Sequence, residues 1–79
     1  MSETILDVVR GVLVEIRGVD PKQVTLEAKL IDDLGADSLD AIEIIMALEA
    51  HYDKELDDIE VESLKTVGDV VALIQALIE

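Results

Sequence analysis

Three segments of the chain repeat apolar residues with the period of an α-helix, and none shows the apolar–polar alternation of a strand. The first segment follows Ser2, a residue type that caps helices, and stops before Gly18, a residue type that ends them. The last segment follows Thr66, which forms a capping-box-like pair with Asp69. The apolar faces comprise Ile5, Val9, Val12, Leu13 and Ile16 in the first segment and Val67, Val70, Val71, Ile74, Leu77 and Ile78 in the last. We therefore predict one helix capped by Ser2 and another capped by Thr66.

A long connection, residues 19–37, separates the first predicted helix from the second. Pro21 restricts Asp20 to extended backbone, and Gly35 marks the sharp end of the connection. Apolar residues are spaced along it so that they can pin it to a core: Val24, Leu26, Leu30 and Leu34. A connection of this length in a compact domain is usually functional or contains short helical turns.

The second helix is predicted to begin with Asp37 or Ser38 as its cap and to end near Tyr52. A short helical segment is predicted around residues 58–63, before the last helix. These elements predict an all-α fold, a small four-helix bundle with three longer helices and one short helix. The long loop lies between helices 1 and 2, and residues 1–79 form a single domain.

The composition limits what such a bundle can do. The 79 residues are 51% hydrophobic with Tyr52 as the only aromatic residue, so the core is aliphatic and has no room for a buried catalytic cleft. The chain has no cysteine and therefore no thiol of its own. Its start lacks the layout of a signal peptide, and no apolar run approaches about 18 residues. We expect a soluble, cytoplasmic protein without membrane insertion.

The charge is extreme for this length. Nineteen acidic residues against six basic residues give a formal charge of −13. One interpretation is that the acids only keep the domain soluble. The other is that they steer the chain onto basic partner proteins. Under either interpretation the negative charge excludes nucleic acid as a partner, because it would repel the phosphates.

The second helix has two apolar arcs at about 100° per residue. The arc expected to face the bundle comprises Ala41, Ile44, Ile45, Leu48 and Tyr52. Roughly opposite lies a second arc, the outer stripe, which comprises Leu39, Ile42 and Met46 and is surrounded by Glu43, Glu49 and Asp53. The outer stripe is either further core, covered by the 19–37 loop, or an exposed strip that docks against an apolar groove edged with Arg and Lys.

Ser38 stands at the head of this helix between two acids, Asp37 and Asp40. A catalytic serine needs a base within hydrogen-bond reach, and the single histidine, His51, lies about 20 Å further along the same helix. Ser38 is therefore either a helix cap or, if Asp37 caps, an attachment point for a phosphate ester at the positive end of the helix.

A calcium loop is excluded by its spacing. Asp32 and Glu43 stand at positions 1 and 12 of an EF-hand pattern. Leu34, Ala36 and Asp37 occupy positions where ligands and a glycine are required. The sequence predicts no specific metal site.

The stretch LGADSLDAIEIIMALE resembles acyl carrier proteins, and the similarity extends over nearly the whole chain, closest to the fatty-acid-synthesis type. Asp37, Ser38 and Leu39 resemble that family's attachment motif for its prosthetic group. The resemblance implies a carrier rather than an enzyme. Ser38, flanked by Gly35, Asp37 and Leu39, would hold 4′-phosphopantetheine transferred from coenzyme A by a separate transferase.

The resemblance also implies a role for the second helix. Growing fatty acyl chains would be carried as thioesters on the arm, sheltered between helices and delivered to basic-surfaced enzymes of fatty acid biosynthesis. The expected partner-binding residues are Leu39, Ile42, Glu43, Met46, Glu49 and Asp53. Two alternatives remain open: a specialised carrier for polyketide, peptide or modified lipid assembly, and an acidic interaction module whose Ser38 is only a cap. In each case we expect a monomer.

Overall fold

The computed structural model describes residues 4–55 and 63–78, which contain three α-helices. These are α1 (Ile5–Arg17), α2 (Ser38–Tyr52) and α3 (Val67–Ile78). A 3-10 turn, Pro21–Gln23, lies in the loop between α1 and α2. The all-α prediction is confirmed, with three helices in the described residues rather than four. The predicted short helix over residues 58–63 falls almost entirely outside them.

The first helix is capped by Thr4, so the prediction of Ser2 was wrong. The Thr4 hydroxyl accepts a hydrogen bond from the Asp7 N–H at 3.1 Å, and the Asp7 carboxylate accepts one from the Thr4 N–H at 3.2 Å. The hydrogen bond from the Thr4 backbone N–H above all, and then the Thr4 side chain and Arg10, lower the pKa of the Asp7 carboxyl. Ser2 has no acid or amide three residues later to complete such a box, whereas Thr4 does. Gly18 ends the helix in the left-handed region at φ 65°, as predicted.

The third helix begins with the predicted capping box. The Thr66 hydroxyl accepts from the Asp69 N–H at 3.2 Å, and the Asp69 carboxylate accepts from the Thr66 N–H at 3.0 Å. Asp69 also accepts from the Lys65 N–H at 2.9 Å. The backbone bonds from Thr66 and then Lys65 lower the pKa of the Asp69 carboxyl. The start of α3 is therefore fixed by local hydrogen bonds.

An aliphatic core joins all three helices and the loop. Its fully buried large side chains are Val9, Leu13, Val24, Leu30, Ile44, Leu48, Val67, Val70 and Ile74. Two residues predicted to face the core do not: Ile78, in the last turn of α3, is exposed, and Leu26 is 46% exposed. The Ala28 N–H donates to the Thr25 carbonyl at 3.1 Å, which closes a turn with Leu26 at its corner. The side chain at that corner points away from the core.

The loop is held against the start of α3 by three backbone hydrogen bonds. The Leu30 N–H donates to the Lys65 carbonyl, the Val67 N–H to the Ala28 carbonyl and the Gly68 N–H to the Leu26 carbonyl, each at 2.9 Å. Lys29 and Thr66 form an isolated antiparallel bridge within this pairing. The end of the loop, and with it the start of α2, is thereby placed beside residues 64–66. No helix in the described parts of the chain is long and apolar enough to cross a membrane.

Candidate functional site

A tight turn carries the loop into α2. The Ala36 N–H donates to the Leu30 carbonyl at 2.7 Å, and the Gly35 N–H donates to the Ile31 carbonyl at 3.0 Å. Gly35 adopts φ 68°, in the left-handed region where glycine carries no steric penalty. Ala36 is buried, which anchors the turn to the core. Gly35 therefore marks the sharp end of the loop, as its position in the sequence predicted.

Asp37, and not Ser38, is the cap of α2. The Asp37 carboxylate accepts a hydrogen bond from the Asp40 N–H at 3.0 Å, and the Asp40 carboxylate accepts one from the Asp37 N–H at 3.2 Å. Ser38 is the first helical residue and is exposed. Its hydroxyl makes no hydrogen bond to another residue in the described ranges. The interpretation of Ser38 as only a cap is therefore wrong.

Ser38 lines a cleft of about 550 Å³. One wall is formed by the loop at Lys29 and Ile31, and the other by residues 64–66. Leu30, Ala36 and Ala41 line it as well. Sequence reasoning did not identify this cleft, because it is formed by the pairing of residues 28–30 with residues 65–67, which are far apart in the chain.

The single histidine of the chain lies far from Ser38. His51, in the last turn of α2, is exposed and packs edge-to-face on Tyr52, with ring centroids 4.8 Å apart. That places the imidazole at the opposite end of a 15-residue helix from Ser38. Within residues 4–55 and 63–78, no group of three or more His, Cys, Asp or Glu side chains could hold a metal ion.

The outer stripe of α2 lies on the surface of the protein. Leu39, Ile42 and Met46 are 71%, 44% and 62% exposed, so the interpretation that the 19–37 loop covers them is wrong. The inner arc is core as predicted: Ala41, Ile44, Ile45 and Leu48 are buried and Tyr52 is half-buried.

Acids lie beside the outer stripe at different depths. Glu43 is exposed, Glu49 is half-buried and Asp53 is exposed at the left-handed C-cap of α2.

An ion pair connects the site to α1. An Arg17 guanidinium nitrogen, Nη1, lies 3.5 Å from the Asp40 carboxylate oxygen Oδ2. Arg17 was not singled out from the sequence, and Asp40 was noted only as an acid beside Ser38. The only local signal at Arg17 is a basic residue in the last turn of a helix, which favours the helix dipole but does not identify a partner.

The chain is similar in sequence to proteins of a known family. The family model described as phosphopantetheine attachment site matches residues 7–74. An acyl carrier protein of Thermotoga maritima is 48% identical over 73 residues, which is 92% of this chain and 90% of the relative. One of Campylobacter curvus is 49% identical over 92% of this chain and 95% of the relative. The chain belongs to the acyl carrier protein family. A further acyl carrier protein, from Akkermansia muciniphila, is 49% identical over 94% of this chain and 92% of the relative.

Membership in the acyl carrier protein family confirms the resemblance stated from the sequence. It identifies the cofactor as covalent 4′-phosphopantetheine and the protein as a carrier rather than an enzyme. The residues at the head of α2 fit that cofactor. The Ser38 hydroxyl is exposed and is not used by the capping box, and first-turn N–H groups of a helix favour a phosphate.

Proposed function

We propose that Ser38 carries the 4′-phosphopantetheine arm and that the protein delivers fatty acyl chains on it to the enzymes of fatty acid biosynthesis. The observation that carries this proposal is the exposed Ser38 hydroxyl at the first position of α2, left unbonded because Asp37 caps the helix. Gly35, Asp37 and Leu39 flank the attachment point. Residues 1–79 act as one carrier domain, a cytoplasmic monomer.

The surroundings of Ser38 favour a phosphodiester over a free catalytic hydroxyl. The positive end of the α2 dipole and the unpaired N–H groups of its first turn stabilise an anion. The Asp37 and Asp40 carboxylates each accept a hydrogen bond from the other residue's backbone N–H, so a phosphate on Ser38 need not displace either carboxylate. The bound arm supplies the thiol that the chain itself lacks.

The outer stripe and its acids are the proposed docking surface for partner enzymes. Leu39, Ile42 and Met46 provide exposed apolar contact, and Met is adaptable enough to fit several partners. Glu43, Glu49 and Asp53 lie on the same helix or at its end and suit a groove edged with Arg and Lys. The partners would include the phosphopantetheinyl transferase and the acyl-processing enzymes.

A fatty acyl cargo is favoured over polyketide, peptide or modified lipid intermediates by two observations. Relatives about half identical over nearly the whole chain carry the name acyl carrier protein. The cleft beside Ser38 includes aliphatic side chains, those of Leu30, Ile31 and Leu64. Acyl groups recovered from the native protein as thioesters would distinguish the two kinds of carrier.

The attachment site is tested by substituting its hydroxyl. Ser38→Ala should fold with a loss of stability within about 1 kcal/mol, because Asp37 remains the cap. Incubated with coenzyme A and a phosphopantetheinyl transferase, it should gain no mass, whereas the wild type gains one phosphopantetheine group per chain. Ser63→Ala is the control, because it removes a serine hydroxyl outside the site and should be modified like the wild type. A mass gain on Ser38→Ala would show that Ser38 is not the attachment point.

A further inference from the structure

Arg17 reaches from the end of α1 to both sides of the turn that presents Ser38. Its Nη1 lies 3.5 Å from Asp40 Oδ2, and the two side chains are 39% and 18% exposed. Its Nη2 lies 3.3 Å from the point where a Cβ would stand at Gly35. Gly35 precedes Ser38 by three residues and Asp40 follows it by two, so one guanidinium lies near the chain both before and after the serine.

The ion pair between Arg17 and Asp40 involves an atom of the capping box of α2. The oxygen that lies near Arg17 Nη1, Asp40 Oδ2, is also the acceptor for the Asp37 N–H at 3.2 Å. The position of this carboxylate therefore depends on α1 as well as on its own helix. Of the two ion pairs in the described residues, this one joins two helices, whereas Arg10–Asp7 lies within α1.

The position of Arg17 near Gly35 restricts the turn from its other side. Gly35 adopts a left-handed φ of 68° in this turn. Glycine can adopt many other backbone conformations, and any of them would change the turn. The guanidinium lies against the face of Gly35 where a side chain would otherwise project. Movement of the turn toward α1 would meet Arg17, and movement of Asp40 away would break the ion pair.

We propose that Arg17 is a positioning residue for the modification of Ser38, holding residues 35–40 in the conformation that presents the hydroxyl. This inference rests on Ser38 being the attachment site proposed above. A lysine at position 17 would supply the charge but only a single nitrogen. It cannot lie near Asp40 and cover Gly35 at once, because only the planar guanidinium has two separated nitrogens.

The test measures steady-state transfer of phosphopantetheine from coenzyme A to the unmodified protein, by intact mass. Arg17→Gln should lower kcat on the order of 10-fold, because a misplaced hydroxyl reacts slowly even when the complex forms. The KM for the carrier should change little. Arg17→Lys should give an intermediate kcat. Arg10→Gln is the control: it removes one positive charge, the α1 ion pair with Asp7 and a hydrogen bond to the Val24 carbonyl, all away from Ser38, and should be modified at the wild-type rate.

A second measurement does not depend on the transferase. Amide hydrogen exchange, followed by NMR on the unmodified protein, should be faster at Asp37 and Asp40 in Arg17→Gln and unchanged at Thr4 and Asp7. In Arg10→Gln, exchange should be faster at Thr4 and Asp7 and unchanged at Asp37 and Asp40. The substitution removes the Arg10 guanidinium, which donates to the Asp7 carboxylate at 3.0 Å.

Any of the following results would overturn the inference: unchanged exchange at Asp37 and Asp40, an unchanged kcat in Arg17→Gln, or an equal loss of kcat in Arg10→Gln. A loss confined to KM and abolished by salt would also overturn it, since that would show a role for charge alone. If the wild type gains no group, the proposed function fails together with this inference. If the wild type gains it and Arg17→Gln gains it at the same rate, only this inference fails.

Discussion

The residues at the head of α2 have separate roles. Asp37 caps the helix and Asp40 completes the capping box, so neither task falls to Ser38. The outer stripe begins at the next residue, Leu39, which is 71% exposed. The proposed attachment point and the proposed docking surface are thus adjacent on one helix, and a partner bound to the stripe would hold its active site near Ser38.

The first prediction at this scale concerns charge beside the stripe. Glu43→Lys should leave stability within about 0.5 kcal/mol of the wild type, because the side chain is exposed. It should slow loading by the transferase at low salt and much less at high salt, since charges at the rim of an interface act on association rate. Glu15→Lys, the same reversal at an exposed site on α1, is the control and should load at nearly the wild-type rate. If Glu43→Lys loads as fast as the wild type at low salt, α2 is not the docking surface.

The second prediction concerns apolar contact on the same stripe. Met46→Ala should weaken the docked complex to a similar extent at low and high salt, because it removes apolar area and no charge. Its free energy of unfolding should fall by no more than about 0.5 kcal/mol, because the side chain is 62% exposed. Kinetics of loading at two salt concentrations, beside a thermal melt, measure both quantities. Ile78→Ala, at an exposed apolar site on α3, is the control and should load normally.

Among the elements, the loop and the first turn of α3 approach each other closely. The Gly68 N–H donates to the Leu26 carbonyl at 2.9 Å, next to the bonds that join Leu30 to Lys65 and Val67 to Ala28. A Cβ on Gly68 would stand 2.9 Å from the Leu26 carbonyl oxygen, too near for the two backbones to keep this spacing. Glycine at this position allows the loop to lie against α3 and so to form one wall of the cleft beside Ser38.

Two glycine substitutions should therefore have opposite effects on stability. Gly68→Ala should lower the free energy of unfolding by about 1–3 kcal/mol, because the backbone of the loop must shift. Gly11→Ala should raise it by about 0.5–1 kcal/mol, because that glycine lies within α1 with open space around its Cβ position. Urea denaturation of the two variants and the wild type measures both changes. Stabilisation by both alanines would contradict the close approach of the loop to α3.

The acidic residues of the whole molecule far outnumber the basic residues, so most acids cannot have a basic partner. Its formal charge is −13, and the described residues contain two ion pairs. Like charges on so small a body repel one another, and unfolding moves them apart. This repulsion lowers stability at low ionic strength, where it is screened least.

Salt should consequently stabilise the protein. We expect the Tm to rise with NaCl, by about 4–8 °C for each kcal/mol gained. Millimolar Mg²⁺ or Ca²⁺ should raise it further than NaCl of equal ionic strength, through weak binding to acids such as Asp32 and Asp33. A second candidate cluster, Asp57 and Asp58, lies outside the described residues. A thermal melt across both series measures the effect, and a Tm that falls or stays constant would contradict the repulsion argument.

Most of the local structure could be predicted from the sequence, because caps and helical faces depend on residues within about four positions of each other. Gly18, the Thr66–Asp69 box and the extent of α2 are of this kind, and so is the motif centred on Ser38. Thr4 is of this kind as well: its partner Asp7 was visible in the sequence, and Ser2 was preferred in error.

Only the tertiary structure decided what the surfaces around Ser38 are. Periodicity identifies two apolar arcs on α2 but not which one the loop leaves uncovered, and Leu26 proved to lie at the corner of a turn instead of in the core. The cleft requires Lys29 to meet Thr66, and the ion pair requires Arg17 to meet Asp40. Such contacts join residues more than twenty positions apart, and no helical or turn rule spans that distance. They form because the packed aliphatic core fixes where the loop returns, so the site's walls follow from the fold while its serine follows from the sequence.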